Sequence, residues 1–252
     1  MIHNPLFARL QQKHRTSRYP AEPPKLPERF LGRPELDAAK CRAGCAACAE
    51  VCPTAAVARG EAGLRLDVGK CLFCGECARA CPTGAVVFTR DHRLAVRHRD
   101  DFLVASAEYP LARALDGEMR RLFGRSLKLR QVSASGCNAC EADTNVLNTL
   151  FFDLSRFGIQ FVASPRHADG LLITGPVSEN MRLALRKTYA AVPPPRLVIA
   201  VGACAISGGP YAGHAECHNG ATDLLPVDLY IPGCPPHPMT ILDGLLRFLG
   251  RI

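Results

Sequence analysis

Beginning at Cys41 and at Cys71 the chain repeats one pattern, C…C-x2-C-x3-C-P-T-x-A-V, about 30 residues apart. A repeat at that period is one structural unit used twice. Three thiols crowded into a tight loop, with a fourth a few residues on ahead of proline, constrain the backbone more than any helical or strand periodicity would. A zinc site would show paired C-x2-C units separated by a longer gap, so these eight cysteines point to polynuclear iron–sulfur chemistry.

The second run, Cys71-x2-Cys74-x2-Cys77-x3-Cys81-Pro82, is similar to the run of bacterial two-cluster ferredoxins, in which the fourth cysteine of each run ligates the other cluster. That crossing assigns Cys71, Cys74, Cys77 and Cys52 to one [4Fe–4S] cluster, and Cys41, Cys45, Cys48 and Cys81 to the other. The first run departs from the pattern, with three residues between Cys41 and Cys45. Its loop must bulge by one residue, and Gly44 can absorb the bulge.

Thirteen cysteines are many for a chain of 252 residues. The N-terminal residues hold neither the apolar core of a secretory signal nor a twin arginine. The cysteines therefore read as metal ligands in a reducing compartment rather than as disulfides. No apolar run approaches the 18 or so residues of a membrane span, so membrane association is expected through partners. Residues 1–130 carry 23 Lys and Arg against 14 Asp and Glu. Nucleic acid is not the expected partner. Each four-thiolate cubane carries roughly −2, which the excess cations offset.

Four segments follow along the chain. Residues 1–35 are basic, with five prolines between positions 20 and 34, and form no helix or ladder. They read as a loose tail or, preferably, an extended arm lying on a neighbouring subunit. Residues 36–90 hold the cysteine repeat. Residues 91–127 are a polar connector, helical in part from Tyr109 to Phe123, with His92 and His98 solvated. From residue 128 to 252, short β-rich runs (127–132, 159–163, 171–174, 197–201 and 229–231) alternate with helical ones (141–157, 179–191 and 238–249). In the first helical run, Leu147, Leu150, Phe151 and Leu154 recur at helical spacing. Such alternation predicts an open parallel sheet with helices on both faces.

Three further cysteine groups each sit just past the carboxyl end of a predicted strand: Gly136-Cys137-Asn138-Ala139-Cys140, Gly202-Ala203-Cys204-Ala205 and Pro232-Gly233-Cys234-Pro235-Pro236. Ligands of open α/β sheets gather at that edge. Cys137, Cys140, Cys204 and Cys234 are thus the expected ligands of a third [4Fe–4S] cluster, with Gly136, Gly202 and Gly233 admitting close backbone approach. Cys217 is left over and reads as a plain thiol. Glu141, Arg166, His167, Asp169 and His237 are placed beside the ligand loops. Tuning the cluster or moving protons stands against an ion pair or helix cap for each. Asp143 and Thr144 are candidates for the first turn of the following helix. Gly175-Pro176 opens no nucleotide-binding motif, and neither nucleotide nor flavin is expected.

The segments Ser164-Pro165-Arg166-His167-Ala168-Asp169, Gly202-Ala203-Cys204-Ala205-Ile206-Ser207-Gly208-Gly209 and Val227-Asp228-Leu229-Tyr230-Ile231-Pro232-Gly233-Cys234-Pro235-Pro236 resemble one family. It is the small subunit shared by membrane-bound group 4 NiFe hydrogenases, formate hydrogenlyase and respiratory complex I (its 20 kDa subunit). The resemblance covers about residues 129–250. The preceding part resembles the two-cluster ferredoxin subunit that neighbours it in those complexes, as if the two were fused. The resemblance implies an α/β fold, a flavodoxin-like open parallel sheet preceded by a small α+β ferredoxin-like module. It implies an electron-transfer oxidoreductase subunit with its catalytic centre on a partner chain. That partner would be a NiFe hydrogenase-type, complex I 49 kDa-like large subunit. Integral membrane subunits and a donor or acceptor protein complete the complex, on the cytoplasmic face of the cell membrane. Complex I subunits place two adjacent cysteines at the first ligand position. Cys137-x2-Cys140 followed by Glu141 resembles the hydrogenase branch instead, although Asp143 stands where hydrogenlyase subunits tend to have Glu. The alternative is an electron-transfer subunit of a complex I-like, quinone- or ion-pump-linked complex without the NiFe centre. Two C-x-x-C pairs in the neighbouring large subunit would decide between them.

Overall fold

A computed structural model describes residues 5–13, 15–60, 63–104 and 109–252. The expectation that residues 1–35 form no helix or ladder is wrong, since a short helix is the first described element and Pro34 and Glu35 join a strand ladder. That helix, α1 (Pro5–Gln12), buries none of its residues, and its one proline stands at its first position, where no amide donor is needed. Beyond it, strand β1 (Pro34–Leu36) leads into the cysteine repeat. Helices α2 (Ala47–Glu50) and α3 (Glu76–Ala80) carry the middle cysteines of the two runs. Between them lies a hairpin, β2 (Val57–Gly60) and β3 (Gly63–Asp67), and after them β4 (Val86–Phe88). Strand β4 pairs antiparallel with β1, and β3 pairs with both β2 and β5 (Leu103–Val104). The residue before the second cysteine is left-handed in both runs, Gly44 at φ 75° and Phe73 at φ 54°. The extra residue of the first run is accommodated there, since a side chain at Gly44 would meet nothing within 4 Å.

The segment read as a connector is structurally engaged. Val96 bridges Tyr230 in the C-terminal part. Regular α-helix is confined to α4 (Gly117–Phe123), capped by the Asp116 carboxylate, so the expected start at Tyr109 comes too early. His98 is exposed, but His92 is buried, and its expected solvation is wrong. Its ring packs edge-on against Tyr19, brought there by the N-terminal arm.

The C-terminal part is the expected parallel sheet. Strands β6 (Leu127–Ser133), β7 (Ile159–Phe161), β8 (Gly170–Thr174), β9 (Leu197–Val201) and β10 (Leu229–Ile231) lie in the order β10-β9-β8-β6-β7. All neighbours run parallel. Numbered within the sheet, this is the 2-1-3-4-5 order of flavodoxin-like folds. Strands β8 and β9 are buried along their whole length, as apolar runs covered on both faces must be. Helices α5 (Ala139–Val146), α6 (Glu179–Ala191) and α7 (Ala203–Ser207) connect strands, and α8 (Pro238–Phe248) follows β10. One core packs Ile241, Leu245 and Phe248 of α8 against Leu127, Leu129 and Ile199, and another packs Leu185 of α6 against Leu171, Ile173 and Val198.

The helix expected over 141–157 stops at Val146. Bonds of the tighter i→i+3 type end it, from Leu147 to Thr144 and from Thr149 to Val146. Asp153, in a left-handed conformation, then starts a separate single turn, Leu154–Phe157. Leu147 and Leu154 are buried, but Leu150 and Phe151 are 74% and 51% exposed.

A third apolar cluster joins the two modules, with Leu66, Val68 and Phe102 against Ala205, Ile206 and Tyr230. At its edge the Asp67 carboxylate accepts a two-pronged pair from Arg99, at 2.9 and 2.6 Å. From Ser17 onward the hydrogen bonds of the N-terminal segment go to this chain's own elements. The Ser17 amide donates to Phe151, Arg156 donates to the Tyr19 carbonyl, and Arg90 donates to Leu26, Pro27 and Glu28.

Candidate electron-transfer centre

Thiols from the two runs lie close enough to feel one another. Burial pushes the Cys71 thiol up to about 12, and the nearby sulfurs of Cys77, Cys52 and Cys74 add to the rise. Burial likewise raises Cys77 to about 11, and among the neighbouring sulfurs Cys52 adds most. Cys52, Cys71, Cys74 and Cys77 line one pocket. On the other side, burial raises Cys48, with Cys81 and Cys41 the sulfurs that act on it. Cys45 sits in the same loop, its carbonyl held by Arg59 at 2.5 Å.

Each fourth cysteine stands in a matching cradle. The Ala56 amide donates to Cys52 Sγ and the Ala85 amide to Cys81 Sγ, both at 3.2 Å. Burial opposes ionisation of Cys81, but bonds from Thr83, Ala85 and Val86 outweigh it and bring the thiol down to about 7. Cys52 is lowered by the same kind of donors. These amides favour sulfur in its anionic, ligating form.

The other four predicted thiols also converge. Cys137 and Cys140 follow β6, Cys204 follows β9 and Cys234 follows β10, and the four line one cavity of about 70 Å³. Burial raises Cys204 to about 12, with Cys234 and Cys137 adding to it. Burial raises Cys140 as well, with Cys204 the strongest neighbour. Gly202, at φ 90°, lets the chain turn into α7 against the Cys140 thiol. A Cβ there would lie 2.5 Å from Cys140 Sγ. Among the described residues no group of three or more His, Cys, Asp or Glu closes tightly enough for a single metal ion. Four soft thiolates around a glycine-lined, largely apolar cavity fit an iron–sulfur cluster, whose sulfur ligands stand farther apart than those of one ion. Loading it would release the protons these thiols hold.

Glu141 is buried beside this cavity. Ser133 and Thr174 both donate to its Oε1 at 2.6 Å, and its Oε2 has no protein partner. His237 caps α8, its Nδ1 accepting from the Met239 amide, and burial lowers its pKa. Asp143 and Thr144 cap nothing. Asp143 lines the cleft around Cys234, with its pKa raised by burial, and Thr144 is buried. Arg166, His167 and Asp169 are not beside the ligand loops. They precede β8 at its amino end, and the five residues of that strand, roughly 16 Å, separate them from the cysteine edge. Asp169 accepts from the Lys128 amide and so fixes strand register. Cys217 lies apart, bridged to Ser178.

Two contributors escaped sequence reasoning. Leu72 and Phe73, from the second run, share a cleft of about 240 Å³ with Cys234, Pro235 and His237. The sulfur of Cys74 acts on Cys234 across that junction. Ser133 and Thr174, which hold Glu141, are ordinary strand residues whose role depends on the pairing of β6 with β8.

Comparison with known proteins agrees with this geometry. Residues 137–248 match the family model "NADH ubiquinone oxidoreductase, 20 Kd subunit", and residues 40–85 match "4Fe-4S dicluster domain". The chain is 36% identical over 135 residues to "Probable membrane-bound hydrogenase subunit mbhJ" of Pyrococcus furiosus, covering 54% of this chain and 81% of that protein. It is 44% identical over 140 residues to "Formate hydrogenlyase subunit 7" of Escherichia coli, covering 55% of this chain and 54% of that one. It is 39% identical over 141 residues to an NADH-quinone oxidoreductase subunit of Desulfovibrio desulfuricans, covering 55% and 76%. A resident iron–sulfur cofactor follows from both matched families. The chain belongs to the NADH ubiquinone oxidoreductase 20 kDa subunit family, with a 4Fe–4S dicluster module ahead of it, and is an electron-transfer subunit of hydrogenase or complex I-like oxidoreductases.

Proposed function

We propose that the chain holds three [4Fe–4S] clusters in series and exchanges electrons with a NiFe hydrogenase-type large subunit, in a complex attached to the inner face of the cell membrane. The bound clusters would supply one-electron carriers. The observation that carries the reading is the contact of the Cys74 loop with the Cys234 loop. It supports one order of the thiol sets. Cys41, Cys45, Cys48 and Cys81 are outermost, Cys71, Cys74, Cys77 and Cys52 lie between, and Cys137, Cys140, Cys204 and Cys234 form the end presented to the large subunit. Residues 36–90 and 128–252 are then the two carrier modules. Phe73, Pro235 and Pro236 line the cleft at the junction. Membrane attachment runs through partner subunits, since no helix among the described residues is long and apolar enough to cross a membrane.

The Cys137-x2-Cys140-Glu141 spacing favours the hydrogenase branch. The 39% identity to an NADH-quinone oxidoreductase subunit supports the second reading, a complex I-like partner without nickel. Hydrogen-dependent reduction of an artificial acceptor by the purified complex separates them, and its absence in a complex with all clusters loaded supports the second.

The test of the three-cluster reading is analytical. Anaerobically purified chain should contain about twelve irons, falling to about eight in Cys234→Ser. That variant should keep clusters reducible by dithionite yet deliver no electrons to the large subunit. Cys217→Ser should leave the iron unchanged. Native protein with about eight irons, or normal delivery by Cys234→Ser, rejects the order given.

A further inference from the structure

Helix α1 presents Leu6, Phe7 and Leu10, exposed by 72, 65 and 77%, within a sector of about 100°. Arg9 lies beyond one edge, and Lys13, Arg15 and Arg18 follow, with no acidic residue before Glu22. An eight-residue helix is marginal in water, and α1 buries no residue of its own. The exposed side chains of Phe7 and Leu10 stay open to a surface from outside the chain.

A second exposed apolar pair stands close by. Leu150 and Phe151 occupy the turn where α5 gives way, and the Phe151 carbonyl accepts from the Ser17 amide at 2.7 Å. Only residues 13–16 separate that anchor from α1, so the two apolar groups lie within about 18 Å of chain. Arg156, which donates to the Tyr19 carbonyl, adds a cation beside them.

We propose that α1, with Leu150 and Phe151, lies directly in the headgroup layer of an anionic lipid membrane. This goes beyond attachment through partners. The features are those of interfacial helices: low overall hydrophobicity, Phe and Leu on one side, and only basic charges around them. Arg9, Lys13 and Arg15, with no acidic residue among them, favour a surface of uniform negative charge over a protein face of mixed sign. Lying in the interface would also orient the chain, since the Ser17 and Tyr19 contacts fix the arm to α8 and to the turn at 150–156.

Flotation of the anaerobically purified full chain, clusters loaded, with phosphatidylcholine vesicles containing or lacking phosphatidylglycerol provides the test. The chain should float with the anionic vesicles alone, and added salt should release it. Phe7→Ser with Leu10→Ser should weaken binding by about tenfold or more. Leu150→Ser with Phe151→Ser should weaken it by a smaller factor, and both variants should keep native iron content. No flotation of the native chain, or equal flotation of the α1 variant, overturns the proposal. So does protection of α1 from proteolysis by another subunit of its complex but not by vesicles.

Discussion

Single side chains carry much of the local order. Tyr19 donates to Asp243 Oδ1 at 2.6 Å, while Arg247 donates to Oδ2 at 2.8 Å, and Asp243 is wholly buried. Tyr19→Phe leaves a buried carboxylate oxygen short of a donor and should destabilise the fold by about 1–3 kcal/mol in chemical denaturation. Glu141→Ala strands two hydroxyl donors, Ser133 and Thr174. It should cost about 2–3 kcal/mol and disturb the electron paramagnetic resonance signal of the C-terminal cluster, leaving the others unchanged. Neither pair was legible in the sequence. Tyr19 and Asp243 lie at opposite ends of the chain, and no local pattern announces a bond between such distant positions. The dicluster module was legible because thiol ligation dictates a local spacing that survives without knowledge of the fold.

Elements were legible where burial alone sets the pattern. Strands β8 and β9, apolar throughout, and α6 between its sequence limits emerged as expected. The run 141–157 misled because helical spacing was satisfied by two buried residues, Leu147 and Leu154, and two exposed ones. Periodicity cannot say which apolar residues are covered. The turn from β9 into α7 is set by Gly202, and Gly202→Ala should empty the C-terminal cavity of iron while sparing the ferredoxin-like module, read by iron analysis. The docked arm brings a pH response. Burial lowers the pKa of His92, although Asp243 and Asp91 pull it upward, and Arg93 and Arg247 push it down. Its folded pKa lies below its unfolded value, so stability is full above the unfolded pKa and is lost as pH falls toward the folded one. Thermal stability should therefore decline from about pH 7 to pH 5, and His92→Gln should flatten the decline.

At the scale of the molecule the two modules behave as one body. Phe102 packs edge-on against Tyr230, Ser207 donates to the Gly69 carbonyl, and Arg99 clamps Asp67 beneath the shared apolar cluster. A fragment of residues 128–252 would expose Ile206 and Tyr230. It should aggregate on size-exclusion chromatography, whereas the full chain should unfold in a single transition. The crossed ligation proposed for the two cysteine runs would also have a consequence in time. A ribosome makes the chain from its N-terminus, and Cys41, Cys45 and Cys48 emerge without the sulfur that completes their set. That sulfur, Cys81, arrives only after the whole second run, by which point Cys52 has been waiting for Cys71, Cys74 and Cys77. With ligands shared in that way, neither cluster of the pair could be finished early, and the assembly machinery would meet both vacancies at once rather than in succession.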